Sequence, residues 1–222
     1  MYILIIDTAL PQATVALLHH HKLVAQATNN TQYSHAAWLH PAIVQVLVNG
    51  NISITQLNAV AVTNGPGSYT GLRIGFSAAK GLCYALQLPL ITLNVLQLIA
   101  MANSNPLAQL YLPMMDARRD EVFTATYNHN FEIQNKPHTL LIGSTSFATY
   151  NTTGITVCCG NGAAKYEAVN KHANIIFSYN NYTAQLLSVS AFKKYEAQDF
   201  ENITNAEPLY IKPVFITPLK RV

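Results

Sequence analysis

Residues 64–75, "NGPGSYTGLRIG", place four glycines between an apolar run, "AVAVT" at 59–63, and a helical pattern from about 70 to 87. A strand, a glycine-rich turn and a helix in that order is how a nucleotide phosphate is often cradled, so register decides the matter. A phosphate-binding GxxxxGK[ST] needs a glycine five residues on. Gly65 is followed there by Thr70, and Gly67 by Leu72. A dinucleotide-type GxGxxG needs its third glycine at 70, and Gly71 is one late. A hydrolase elbow around Ser68 needs glycine at 66, where Pro66 stands. All three fail.

The small residues continue into the helix as Gly71, Gly75, Ala78, Ala79, Gly81 and Ala85. A glycine inside a helix costs up to ~1 kcal/mol relative to alanine, so something must offset several of them. A small-residue helix face permits close approach of another backbone. That backbone belongs either to this protein's own sheet or to a helix of a second protein.

Elsewhere the first third alternates strand and helix. "YILIID" (2–7) reads as a strand, and "TVALLH" and "LVAQAT" as a hairpin around "HHHK". Ser34 can cap a helix from 35 to about 48, with Trp38, Leu39, Ala42, Ile43, Val46 and Leu47 on one face and a bend at Pro41. A strand at 88–93 and a short helix at 94–103 follow. This order argues an α/β layer with parallel pairing. "NSNP" at 103–106 marks a boundary, giving a first lobe over 1–104 and a second from 105, with the tail packing back on the first. "LYLPMMD" and "EVFTATY" flank "ARRD" as a second hairpin. "GITVCCG" is a later strand and 183–197 an amphipathic helix, and the tail with Pro208, Pro213 and Pro218 is extended. No internal repeat is visible.

Of 222 residues, 50% are hydrophobic and 10% charged, with a formal charge of +3. A sizeable core is available, and the sparse cations do not cluster as in a nucleic-acid-binding face. The start lacks a basic leader, no run reaches ~18 apolar residues, and Cys83, Cys158 and Cys159 form no CxxC, all consistent with a cytoplasmic protein.

Five segments carry a resemblance: "IIDTA" at 5–9, "VTNGPGSYTGLRIG" at 62–75, "AKGL" at 79–82, "MDARRDEVF" at 115–123 and "EPLYIK" at 207–212. Together they resemble the bacterial TsaB family. The resemblance implies the two-lobed α/β fold of actin, Hsp70 and the sugar kinases, with ribonuclease H-like lobes. It implies a non-catalytic scaffold subunit for placing threonylcarbamoyl on the adenosine beside the anticodon of tRNA. Its partners would be the larger catalytic TsaD, a TsaE-type ATPase, and tRNA through the complex, with the free form left open between monomer and homodimer. The resemblance assigns the partner interface to Gly65, Pro66, Gly67, Ser68, Tyr69, Thr70, Gly71, Arg73, Gly75 and Ala78, with Trp38.

No catalytic, cofactor or metal residue is expected. Asp7 keeps the strand-end acid of ATP-using members of the fold, but the turn after Thr8 reads "ALPQA", where Pro11 and the missing glycine remove amides an anion would need. "GNGAA" at 160–164 resembles the adenosine-side glycine motif, yet Gly-Asn-Gly is also an ordinary turn. His35 and His40 are five apart, ~500° of helical rotation, so their rings diverge by about 140° and read as surface histidines. His19–His21 read as a solvated turn, and the charges of 116–121 as pairing among themselves. The alternative is an enzyme of the same fold, an ATP user or a peptidase.

Overall fold

The computed structural model describes residues 1–31, 34–143, 154–170 and 173–212. Pro213, Pro218, Lys220 and Arg221 of the tail lie outside these residues. Strand β1 (Tyr2–Asp7) is apolar up to its closing Asp7 and buried from Ile3 onward, as suits a central strand covered on both faces. Strands β2 (Ala13–His19) and β3 (Lys22–Asn29) follow as antiparallel neighbours, and β3 alternates exposed and half-buried residues because it forms the edge. Strands β4 (Ala59–Gly65) and β5 (Leu90–Asn94) add in parallel on the other side of β1. The order is β3-β2-β1-β4-β5.

The second sheet repeats that plan. Strands β6 (Ala108–Asp116), β7 (Glu121–Asn128) and β8 (Ile133–Leu141) run antiparallel in turn, and β9 (Ile155–Cys159) and β10 (Ile175–Ser178) add in parallel beyond β6. The order β8-β7-β6-β9-β10 is the first sheet's order with each strand replaced by its counterpart. The duplication is absent from the residue pattern but plain in the topology, and the expected pair of ribonuclease H-like lobes is what the chain forms.

Helices α1 (His35–Asn49) and α2 (Tyr69–Leu86) cover one face of the first sheet. Helix α3 (Val95–Ala102) leads into the second sheet, and α4 (Ala163–Glu167) lies between β9 and β10. Helix α5 (Ala184–Glu196) returns to pack on β1, β2, β3 and β5 of the first sheet. Alternate residues of each central strand divide between layers. Ile3 and Ile5 join Tyr111, Met115, Tyr127 and Val157 in a cluster shared by both lobes, whereas Leu4 and Ile6 face α1 and α2. Each such side chain contributes roughly 1.5–3 kcal/mol on burial, so this shared cluster holds the lobes together. Among the described residues no helix is long and apolar enough to cross a membrane.

Two local expectations need correction. Ser34 occupies the cap position of α1 without capping it, because its hydroxyl donates to the Thr31 carbonyl at 3.0 Å. His35 is buried at 4% exposure and only His40 is a surface histidine; the first turn of α1 folds the His35 ring down beside Asn29.

Candidate partner interface

The glycines of α2 are taken up inside the protein. Ser68 caps the helix, its side chain accepting from the Gly71 amide at 3.2 Å, and its own amide donates to the Ala9 carbonyl at 2.8 Å. This brings the helix start against the β1–β2 turn. A Cβ on Gly67 would stand 2.5 Å from the Ala9 carbonyl oxygen, one on Gly71 would strike the Thr8 carbonyl, and one on Gly75 the Thr8 hydroxyl. Gly71 and Gly75 are therefore buried, as are Gly65 and Pro66. The expectation that these four present themselves to a partner is corrected to this extent: they are buried in the chain itself, Gly71 against the Thr8 carbonyl, Gly75 against the Thr8 side chain and Gly65 against Leu72 and the Leu209 carbonyl. Of the remaining expected interface residues, Ser68, Thr70 and Arg73 are exposed, and Gly67, Tyr69, Ala78 and Trp38 are half-buried.

What α2 does leave open is a different stripe. Arg73, Ser77, Gly81 and Tyr84 recur at intervals of three and four and are all exposed, Tyr84 to 81%. A Cβ on Gly81 would meet nothing within 4 Å. On the adjoining α1, Ala37, Pro41, Val44 and Val48 form a second exposed stripe at the same spacing, with Val44 at 62% and Val48 at 69%. Sequence reading missed these residues because it followed only the inward face of α1. The signal was available, since a helix with apolar residues on two faces has something else to cover.

At the end of β1 the Asp7 carboxylate is buried, accepting from the Ala9 amide at 3.0 Å and the Thr63 hydroxyl at 2.7 Å. Burial raises its pKa, and these hydrogen bonds only partly offset the effect. The buried Tyr182 ring stands beside it, its phenol pushed far above the usual range by desolvation and by Asp7. The second lobe repeats the turn: Asp116, at the end of β6, accepts from the amide of Arg118, two residues on, at 2.7 Å. This carboxylate is exposed and ion-paired with Lys165 at 2.6 Å, and that bond lowers its pKa. Two charges of 116–121 also pair beyond the turn, Asp116 with Lys165 and Glu121 with Lys212, while Asp116 keeps Arg118 close within it.

The β1–β2 turn, which has no glycine, and the glycine turn at 160–162 both have amides engaged within the chain. In the first lobe Ala9 N is bound by Asp7, and Pro11 has none. In the second, Gly160 N donates to the Ser178 carbonyl at 3.0 Å, Gly162 N to Met114 at 2.8 Å and Ala163 N to Gly160 at 3.1 Å. Gly160 and Gly162 let α4 begin against the end of β6, as Gly67 and Gly71 let α2 begin against the end of β1.

Among the described residues the histidines are not gathered into one metal-binding group. His19 stacks on Tyr2 with ring centroids 4.3 Å apart, and His21 packs on Phe192 at 4.0 Å, so the "HHHK" turn is packed and not simply solvated. Cys83, Cys158 and Cys159 are buried free thiols; burial pushes Cys83 up to about 11 and Cys158 to about 12.

Two lobes of duplicated topology around one shared core define a protein of the actin, Hsp70 and sugar-kinase class. Residues 22–206 match the family model described as "TsaD: tRNA N6-adenosine threonylcarbamoyltransferase", and the chain belongs to that family, alongside its TsaB members. It is 34% identical to the tRNA threonylcarbamoyladenosine biosynthesis protein TsaB of Bacillus subtilis, over 58% of this chain and 56% of that protein. It is 35% identical to the TsaB of Escherichia coli, over 59% and 56%. The matched segments thus span little more than half the length of these relatives. The structure of YeaZ from Pseudomonas aeruginosa has the same fold, with a TM-score of 0.78 at 24% identity over 94% of this chain and 99% of that one.

Proposed function

We propose that this protein serves the formation of threonylcarbamoyladenosine on tRNA as a non-catalytic scaffold, pairing through the outer face of α1 and α2 with a TsaD-type subunit. The observation that carries the pairing is Gly81. It sits mid-helix and exposed, at a cost of up to ~1 kcal/mol that no internal contact explains. It is flanked by exposed Tyr84, and α1, which packs beside α2 on the same sheet face, exposes Val44 and Val48, apolar side chains of the kind partners cover. The amides engaged at Ala9, Gly160, Gly162 and Ala163 support a scaffold over a nucleotide-using enzyme, since an anion would not find those donors free. The family relationship supports the pathway, and the same proposal takes a TsaE-type ATPase as a further partner and the cytoplasm as the place of work.

Reconstitution tests the reading. With a TsaD-type subunit, the ATPase and tRNA supplied, nucleoside mass spectrometry should detect the modified adenosine only when this chain is added. Modification by this chain alone would refute the scaffold role, and full modification without it would refute the requirement.

A further inference from the structure

Three of the motifs that are remote in sequence meet on one surface, and the tail joins them. Lys80 of α2 donates to the Ala206 carbonyl at 2.9 Å, where the tail begins its course along the helix. Leu209 N then donates to the Asn64 carbonyl at 2.7 Å. The neighbouring Gly65, at φ +108°, has no Cβ to crowd the Leu209 carbonyl, which a Cβ would approach to 3.1 Å. Tyr210 lies against Tyr69 with centroids 5.0 Å apart. Arg73 covers Tyr69 at 4.2 Å and donates through Nε to the Tyr210 hydroxyl at 3.2 Å. Two residues later Lys212 crosses to the second lobe, pairing with Glu121, donating to the Ala117 carbonyl at 3.4 Å and standing 5.8 Å over the Phe123 ring.

From these contacts we infer that residues 207–212 form a releasable strap, fastening the start of α2 to the β6–β7 turn of the second lobe. The strap bridges the two duplicated turns, because the α2 start is already packed on Thr8 and Ala9, and 116–121 is the second lobe's equivalent. It is releasable because, among the described residues, its far end rests on the contacts of one side chain, Lys212, in a partly exposed ion pair, a 3.4 Å hydrogen bond and a cation over a ring, whereas the lobes are joined by the shared apolar cluster whether or not the strap is closed. Ion pairs of this exposure weaken with salt. Opening frees Arg73, Lys212 and the second-lobe turn together, without unfolding either sheet. The inference does not depend on the pairing role of α2.

Amide hydrogen exchange of the full chain tests it. In Lys212→Ala, the amides of Leu209 and of 117–121 should exchange about ten-fold faster, with those of β1 and β6 unchanged. Glu121→Gln should do the same, and the double variant should add nothing further. In the wild type, exchange at Leu209 should rise between about 0.05 and 0.5 M salt, and the rise should vanish in Lys212→Ala. Unchanged exchange at 117–121 in Lys212→Ala would overturn the strap. So would equal acceleration of β1 and β6, which would make the segment an ordinary part of the global fold, and so would salt-independent exchange in the wild type.

Discussion

Thr8 donates from its hydroxyl to the Gly71 carbonyl at 2.7 Å, a buried bond between the end of the first strand and the first turn of α2. It forms only because Gly71 and Gly75 carry no side chains at that contact. The α2 glycines at 71 and 75 thereby serve this internal contact, and the side of α2 that stays exposed is the opposite one, along Ser77, Gly81 and Tyr84.

Gly75→Leu should consequently damage the fold before it damages pairing. A bulky side chain must displace Thr8 and Ile6, and overpacking of this kind costs typically ~1–3 kcal/mol. In a domain of this size the melting temperature should fall by at least ~2–4 °C. A variant that melts like the wild type would show that the close approach can relax.

Gly81→Ala should do the reverse. The isolated chain should gain up to ~1 kcal/mol from helix propensity alone, since the new methyl group meets nothing. Gly81→Leu should gain stability in the same way and Tyr84→Glu should leave thermal unfolding of the isolated chain nearly unchanged, while both reduce co-purification with a TsaD-type partner at least ten-fold. Undiminished capture of both variants would remove α2 from the interface.

Asp7→Asn should stabilise the protein at neutral pH. The folded-state pKa of Asp7 is raised by desolvation, so its stabilising contribution is present below the ordinary carboxylate value of 3.8 and is lost as pH rises through the elevated value. Asparagine keeps an oxygen for the Ala9 amide and the Thr63 hydroxyl but has no charge to bury. Melting curves should show the variant a few degrees above wild type at pH ~7 and level with it near pH ~3. A variant less stable at neutral pH would mean that hydrogen bonding to the charged form outweighs desolvation.

The thiols should be inert in the native state. Cys83, Cys158 and Cys159 are buried, with pKa values displaced upward by burial, so few thiolates exist near pH 8. A chromogenic disulfide reagent should titrate none of the three quickly in buffer and all three in denaturant. Rapid native labelling of any one would show that its strand opens readily.

Much of the fold was legible because local chemistry determines it. The unbroken apolar run of β1 requires a strand covered on both faces, the inward stripe of α1 requires a helix on a sheet, and "EVFTATY" after "ARRD" requires a hairpin. Strand β8, "IQNKPHTLL", escaped because it is an edge strand with a lysine and a proline, polar enough to pass for a loop. The motifs were also legible, as was the failure of every phosphate-binding register. What the linear order could not decide was which backbone the α2 glycines admit, since spacing serves an internal strand end and an external helix equally well. Thr8 is 63 residues from Gly71, and only the parallel pairing of β1 with β4 sets them side by side. The lobe duplication was hidden for a related reason: topology is retained by hydrogen-bonded pairing between strands, which many unrelated apolar sequences satisfy. The joining of 62–75, 115–123 and 207–212 was likewise decided by tertiary structure, because contacts such as Lys212 with Glu121 depend on where two sheets place their turns and on nothing local to either residue.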